Sequence, residues 1–370
     1  TNSQAILNSY SPWRPSASVT ESGMRITELE NSELTYEKKH EFNVGIDLGF
    51  LKNRLNLAAD YYRRNNFDLI GVINTQGAGG TIAKYANIAS MKSSGIELTI
   101  SSKNMRTKDF SWNTDFIFSK TKNEITDLKS HANVLSLISG NGFGREGYPV
   151  RGLFSIPFAG LTEDGLPTFI NQDGQKTISS FNFQEYEKLD FLKYEGPTDP
   201  TITGSFGNIL TYKNLKLNVF VTYSFGNVIR LDPVFSNAYS DLDAMPKEFK
   251  NRWMKAGDEN VTNIPTIVST RMNQQYAYLN MAYNAYNYSD VRIADGGFIR
   301  LKEISLSYDL PAKVINFFRL NKLQLKLQAT NLCLLYADSK LNGQDPEFFR
   351  SGGVSTPVPK QFTFTVRLGL

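Results

Sequence analysis

Between residues 276 and 288 stand five tyrosines: Tyr276, Tyr278, Tyr283, Tyr286 and Tyr288. A tyrosine ring presents a flat apolar face and a hydroxyl at its wet edge, which suits stacking on sugar rings or peptide groups. The same rings could instead pack a long loop against its own base. Arg300 and Lys302 are spaced to share one face of an extended segment, where they would pair with facing carboxylates or stay solvated. Asp47 and Asp60 fall on neighbouring extended segments and could form a carboxylate pair. Nothing near them in sequence supplies a nucleophile or an acid–base partner, so no catalytic residue is assigned and no enzyme is expected. Asp345 and Glu347 lie in a loop that could bind a cation or a partner, although a solvated turn is the simpler reading. Gly77-Ala78-Gly79-Gly80 reads as a turn and lacks the lysine and spacing of a phosphate loop. His40 and His131 are the two histidines and lie far apart, so no metal site is expected. Cys333 is the single cysteine; it cannot form an intrachain disulfide and is expected to pack as a small buried group. No cofactor is implied.

The elements that must position these residues are strands. The last ten residues, Gln361 to Leu370, alternate without a break: Phe362, Phe364, Val366, Leu368 and Leu370 on one side, Gln361, Thr363, Thr365, Arg367 and Gly369 on the other. Eight earlier segments read the same way. They cover Glu41 to Phe50, Arg54 to Tyr62, about Lys92 to Ser101, Phe110 to Lys120, Thr201 to Tyr212, Leu215 to Phe225, Phe298 to Leu310 and Lys322 to Thr330. Links at Lys52-Asn53 and Lys213-Asn214 predict tight hairpins. The pattern falters near Arg300-Leu301-Lys302, which suggests a bulge. Within the long connections, Met245 to Ala256 reads as a short helix ending before Gly257.

The connections alternate in length. Short ones fall near 51–53, 102–109, 213–214 and 311–321; long ones cover roughly 63–91, 121–200, 226–297 and 331–360. Short turns on one rim and long loops on the other mark an outer-membrane β-barrel. No run of about 18 apolar residues exists, so no helix crosses a membrane, but a barrel strand needs only alternation. The chain has 370 residues and a formal charge of +4 without a basic block, which does not indicate nucleic acid. Thr1 to Tyr10 is polar and is not a signal peptide, so an exported protein of this kind is expected to be a mature, cleaved or incomplete chain. Alternation alone leaves open whether the apolar face turns inward, as in a soluble carbohydrate-binding module, or outward to lipid. Polar faces rich in Asn, Gln, Thr and Ser, and Tyr and Trp near strand ends, favour lipid, with Phe362, Phe364, Val366 and Leu368 facing it. Nine strands cannot close a single-chain barrel of this class, so further strands must come from elsewhere.

Specific motifs then carry a resemblance. Asn31-Ser-Glu-Leu-Thr-Tyr-Glu-Lys38 resembles N-x-x-L-x-W-E-K, and Asn43-Val-Gly-Ile-Asp47 with Arg54 and Asp60-Tyr-Tyr62 resembles N-x-G-x-D … R … D-Y-Y. Asn87-Ile-Ala, Gly95-Ile-Glu-Leu98, Glu146-Gly-Tyr-Pro149, Pro197-Thr-Asp-Pro200, Arg252-Trp253 with Gly257-Asp258, Phe298-Ile-Arg-Leu-Lys302, Ser307-Tyr-Asp-Leu-Pro311, Asn331-Leu332 and Gly343-Gln-Asp-Pro-Glu347 continue the set in order. Together they resemble the C-terminal half of the SusC/RagA-type TonB-dependent transporters of Bacteroidetes outer membranes. One departure is Leu370, where the family usually ends in Phe. The resemblance implies an all-β chain: about nine antiparallel strands of a transmembrane barrel of about 22. Residues 1–40 would be an extracellular loop and lead-in segment, and 41–370 the C-terminal barrel portion. The plug domain and earlier strands lie N-terminal in the family. It also implies import of an oligosaccharide or peptide, a SusD-like lipoprotein lid, the TonB complex as energy source, and outer-membrane lipid as surroundings. Arg300, Lys302, Asp47 and Asp60 would then face the lumen or the plug. A scaffold role in a larger outer-membrane complex stays open at this point.

Overall fold

The computed structural model describes residues 6–10, 23–28, 31, 33–74, 83–140, 142–234, 245–317, 320–349 and 358–369. Gly77 to Gly80 and Leu370 lie outside the described residues. Nine antiparallel strands form one sheet with each strand beside its sequence neighbour. They are β1 (Lys38–Phe50), β2 (Leu55–Asn74), β3 (Ala83–Arg106), β4 (Phe110–Leu128), β5 (Ile202–Tyr212), β6 (Leu215–Phe225), β7 (Phe298–Asp309), β8 (Lys322–Ala337) and β9 (Gln361–Gly369). The sheet is an all-β, antiparallel transmembrane barrel segment, as the alternation predicts. A separate hairpin pairs Ile6–Tyr10 with Gly23–Glu28.

Register turns the alternation into continuous rows. Leu48 faces Leu57, Leu57 faces Ile100, Ile100 faces Phe116, Phe116 faces Phe206, and Phe206 faces Val221. Trp112, Leu210, Leu217, Leu306, Leu327 and Phe364 form a second row. The opposite face carries Asp60, Glu97, Ser119, Thr203 and Ser224 in one row. Asp60, Glu97 and Thr203 of the polar face are exposed, but the residues of the sheet that are buried all fall on that face, while the apolar face carries most of the exposed large apolar side chains. Phe42, Val44, Ile46, Ile96, Phe206, Leu327, Phe362 and Phe364 are exposed, Phe362 at 77%. Tyr62, Ser205, Ser224, Arg300 and Ser305, all on the polar face, are buried. Side chains crowd one another on the concave side of a curved sheet and splay apart on the convex side. The apolar face is therefore convex and the polar face concave, the arrangement of a wall around a wet interior.

Several strands outrun the expected lengths: β2 has 20 residues, β3 24, β4 19 and β8 16. The connection expected over 63–91 is mostly paired strand, with Leu69–Asn74 set against Ala83–Ala89. The reason is a register shift between Asn66 and Ile70, with Asp68 in the left-handed region at φ 56°, which breaks the sequence alternation while the ladder continues. The irregularity at Arg300–Lys302 is a bulge: Leu301 faces Cys333, Glu303 faces Thr330, and Lys302 is skipped. On the opposite rim, Lys213 enters the β5–β6 hairpin at φ 50°.

The connections 129–201 and 226–297 fold into one cap with a shared core. Val134, Leu137 and Ile138 of α1 (Val134–Ile138) meet Phe154, Ile156 and Phe169 from the first loop and Val234, Ala285 and Tyr286 from the second. Asn133 caps α1, its Oδ1 accepting from Ser136 N at 2.9 Å. The helix expected over Met245 to Ala256 is only a 3-10 turn, Lys247–Asn251. Arg252 turns extended, and Trp253 N donates to Ile264 O at 2.9 Å, so a bond to the following loop replaces the helical bond. Trp253 in turn covers Gly165, where a Cβ would lie 2.4 Å from the indole and the backbone has φ +76°.

Candidate functional site

The tyrosine segment is a helix, α2 (Leu279–Asn287), with its apolar side turned into the cap. Tyr283 and Tyr286 are each 1% exposed. Tyr283 donates its hydroxyl to Thr266 O at 2.7 Å, and the Tyr286 ring meets Phe158 edge-on at 5.8 Å between centroids. Burial pushes both phenols up, Tyr286 to about 12. This corrects the stacking role for these two rings: their faces are already covered by protein. Tyr276 Oη lies 3.3 Å from Asp164 Oδ2, and Tyr288 lies under the Arg230 guanidinium, 5.6 Å from ring centroid to Cζ. Tyr278 alone of the five is open, 70% exposed, with a left-handed backbone at φ 62°. The i, i+3 spacing of Tyr283 and Tyr286 was the sign of a buried helical face.

Arginines tie the cap loops to one another and one further loop to the wall. Arg230 Nη2 donates to Phe154 O at 2.6 Å and to Ser155 Oγ at 3.1 Å, joining the two cap loops. Arg292, 2% exposed, donates to Glu248 Oε1 at 2.7 Å and to Asp232 O. Burial holds the Asp232 carboxyl above the ordinary carboxylate value, with Arg292 opposing. Glu195, beside Lys193 and Asp290, is raised for the same reason. Arg300 is buried on the concave face, and its Nη2 reaches both oxygens of Asp345 and Glu347 Oε2. That corrects two expectations. Arg300 Nη2 is paired with carboxylates of this chain rather than with plug carboxylates alone, and Asp345 is a buried ion-pair partner rather than a solvated turn residue. Lys302 is half-buried at the bulge.

Asp47 and Asp60 both lie exposed on the polar face. They do not face each other: Asp47 is opposite Ala58, and Asp60 is opposite Gly45 and Glu97. Sequence reasoning missed Glu97 as the neighbouring carboxylate, because its strand partner is fixed only by register. The same face holds Arg64, which pairs with Glu41 Oε1 at 3.0 Å and lies 4.2 Å over the Tyr62 ring, while Tyr62 Oη and Thr121 Oγ1 are 3.0 Å apart. Cys333 is exposed rather than buried, because the bulge sets it against Leu301 on the outer face. Among the described residues no group of three or more His, Cys, Asp or Glu could hold a metal ion. The arrangement is a polar sheet face together with a cap that has its own apolar core.

No family model matches the chain. It is 26% identical over 348 residues to TonB-dependent receptor P3 of Formosa agariphila, covering 88% of this chain and 32% of that protein. It is 26% identical over 360 residues to TonB-dependent receptor SusC of Bacteroides thetaiotaomicron, covering 92% of this chain and 32% of that protein. Its fold matches the RagAB peptide transporter with a TM-score of 0.74 at 22% identity, over 99% of this chain and 38% of that one. The chain thus spans about a third of the length of the curated relatives it matches. Fold and matches together define an outer-membrane β-barrel segment similar to those of TonB-dependent receptors. Within that class the chain is similar in sequence to SusC and in fold to RagAB.

Proposed function

We propose that this chain supplies the C-terminal wall and loop cap of an importer that takes up an oligosaccharide or a peptide across the outer membrane. The observation that carries the reading is the sorting of faces: apolar rows on the convex side of nine strands, and Asp60, Glu97, Thr203 and Ser224 on the concave side. Residues 41–370 form the barrel portion, beginning three residues earlier at Lys38, with 1–40 as the extracellular lead-in. Phe362, Phe364, Val366 and Leu368 face lipid. The solute meets Tyr278 at the cap and the Asp47, Asp60 and Glu97 surface of the wall. A SusD-like lipoprotein closes over the cap, and a plug and a TonB-contacting segment are supplied by the rest of the protein. The fold likeness to a protein described as a peptide transporter supports a peptide cargo, while the lid rests on the motif resemblance. The protein binds and moves its solute without altering it chemically.

The test is uptake by cells carrying the full-length protein. Deleting the gene should abolish uptake of one oligosaccharide or peptide class, and the protein should require detergent and show heat-modifiable migration on gels. Monodisperse behaviour in buffer without detergent would refute the membrane reading. Undiminished uptake of every solute tried after deletion would refute the import reading alone.

A further inference from the structure

The convex face bears a second pattern just beyond its apolar rows, on the rim of the long loops. Above the row Val44–Tyr61–Ile96, register sets Arg63 opposite Ser94 and Ser94 opposite Lys122. One row further, Lys92 faces Glu124. These residues, with Tyr61, line a groove of about 260 Å³. Lys120 lies beside it, opposite Ile96. Glu124 lies 2.8 Å from Lys92 Nζ and 3.9 Å from Lys122 Nζ. Lys122 nonetheless stays 78% exposed, and Arg63 and Lys120 have no carboxylate in ion-pair reach among the described residues. Three cations against one carboxylate leave two surplus positive charges in the groove, with Lys120 adding a third beside it, and the groove opens above Val44, Ile46, Tyr61 and Ile96.

Such charges on a solvated loop would need no explanation. Here they stand on strand positions whose lower neighbours are greasy, at the height where acyl chains give way to headgroups. A guanidinium fork and flexible ammonium groups suit phosphate oxygens, and the apolar rows below suit the chains attached to them. We propose that this groove binds the phosphate-bearing headgroup of an outer-leaflet lipid, with its acyl chains lying along Tyr61, Ile96 and Ile46. The proposal rests on the outward orientation of the apolar face.

The test uses the full-length protein extracted from its own membrane in mild detergent, with lipid phosphorus and native mass spectrometry as readouts. The wild type should retain phosphorylated lipid. The triple variant Arg63→Ser, Lys92→Ser, Lys122→Ser should retain at least about tenfold less while keeping its heat-modifiable migration. Equal retention overturns the proposal. Should the variant fail to assemble, the wild type decides: in nanodiscs it should melt higher with phosphate-bearing lipid than with phosphate-free lipid of the same chains, and equal melting overturns the site. Displacement of the lipid by millimolar inorganic phosphate assigns the groove to a free anion and overturns the lipid assignment. Loss of heat-modifiable migration by the wild type itself would instead defeat the barrel reading.

Discussion

Arg300 on β7 holds Asp345 through Nη2, 2.6 Å from Oδ1 and 2.7 Å from Oδ2, with both side chains more than nine-tenths buried. Glu347 Oε2 adds a contact at 3.0 Å. The pair pins the β8–β9 connection to the concave wall, and Leu341 and Phe349 of that connection pack against Ile229, Leu231 and Ala294 of the cap. Arg300→Ala leaves the buried Asp345 carboxylate without its cation, a loss of about 3–5 kcal/mol for the docked loop. Limited proteolysis should then cut within 338–349 much faster than in the wild type, with the barrel intact. The double change Arg300→Met with Asp345→Leu should recover most of the protection. Unchanged cleavage in Arg300→Ala would show that apolar packing alone holds the loop.

Tyr278 and Tyr283 sit five residues apart and should part company when truncated. Tyr278→Ala removes an exposed ring and should leave thermal stability within about 0.5 kcal/mol while weakening solute binding several-fold. Tyr283→Ala empties a buried site and removes the hydrogen bond to Thr266 O, lowering cap stability by about 3–5 kcal/mol. Isothermal titration with the imported solute and melting curves on both variants check the pair. Wild-type affinity for Tyr278→Ala would remove that ring from the binding surface.

Alkaline titration should report the buried phenol of Tyr286. Burial raises it to about 12 from an ordinary value of 10. The folded cap therefore keeps a proton that the unfolded chain gives up, so stability is fully present below pH 10 and is lost as pH rises towards 12. The decline amounts to about 3 kcal/mol. Tyr286→Phe should flatten this decline, seen as cap unfolding followed by tyrosinate absorbance. An equally steep decline in the variant would place the alkaline sensitivity elsewhere, with Tyr283 the next phenol to replace.

How much of this was legible depended on what each residue faces. Where one side of a strand meets hydrocarbon and the other meets water, period-two alternation is enforced, and β1, β5, β6 and β9 could be read to within a few residues. Above the bilayer neither side is constrained that way, so the paired continuation of β2 and β3 past Asn66 left no alternating trace. The cap was illegible for a different reason. Val134, Phe169 and Tyr286 make one core from segments over a hundred residues apart, and no local period encodes such a meeting. Asp345 read as a solvated loop carboxylate because its cation, Arg300, lies 45 residues away on the wall.

Phe206 and Thr203, three residues apart on β5, test the orientation of the whole sheet. Phe206 stands exposed in the apolar row between Phe116 and Val221, while Thr203 lies on the concave face between Ser119 and Ser224. If the convex side meets hydrocarbon, Phe206→Arg places a guanidinium near mid-depth in lipid, at about 2–4 kcal/mol. Thr203→Arg places the same group in the wet interior, where water and Asp60, Glu97 and their neighbours can solvate it. The heat-modifiable fraction recovered from outer membranes should therefore fall for Phe206→Arg and stay near wild type for Thr203→Arg. The reverse order would mean that the polar face looks outward, and the lipid-facing assignment of Phe362, Phe364, Val366 and Leu368 would fall with it.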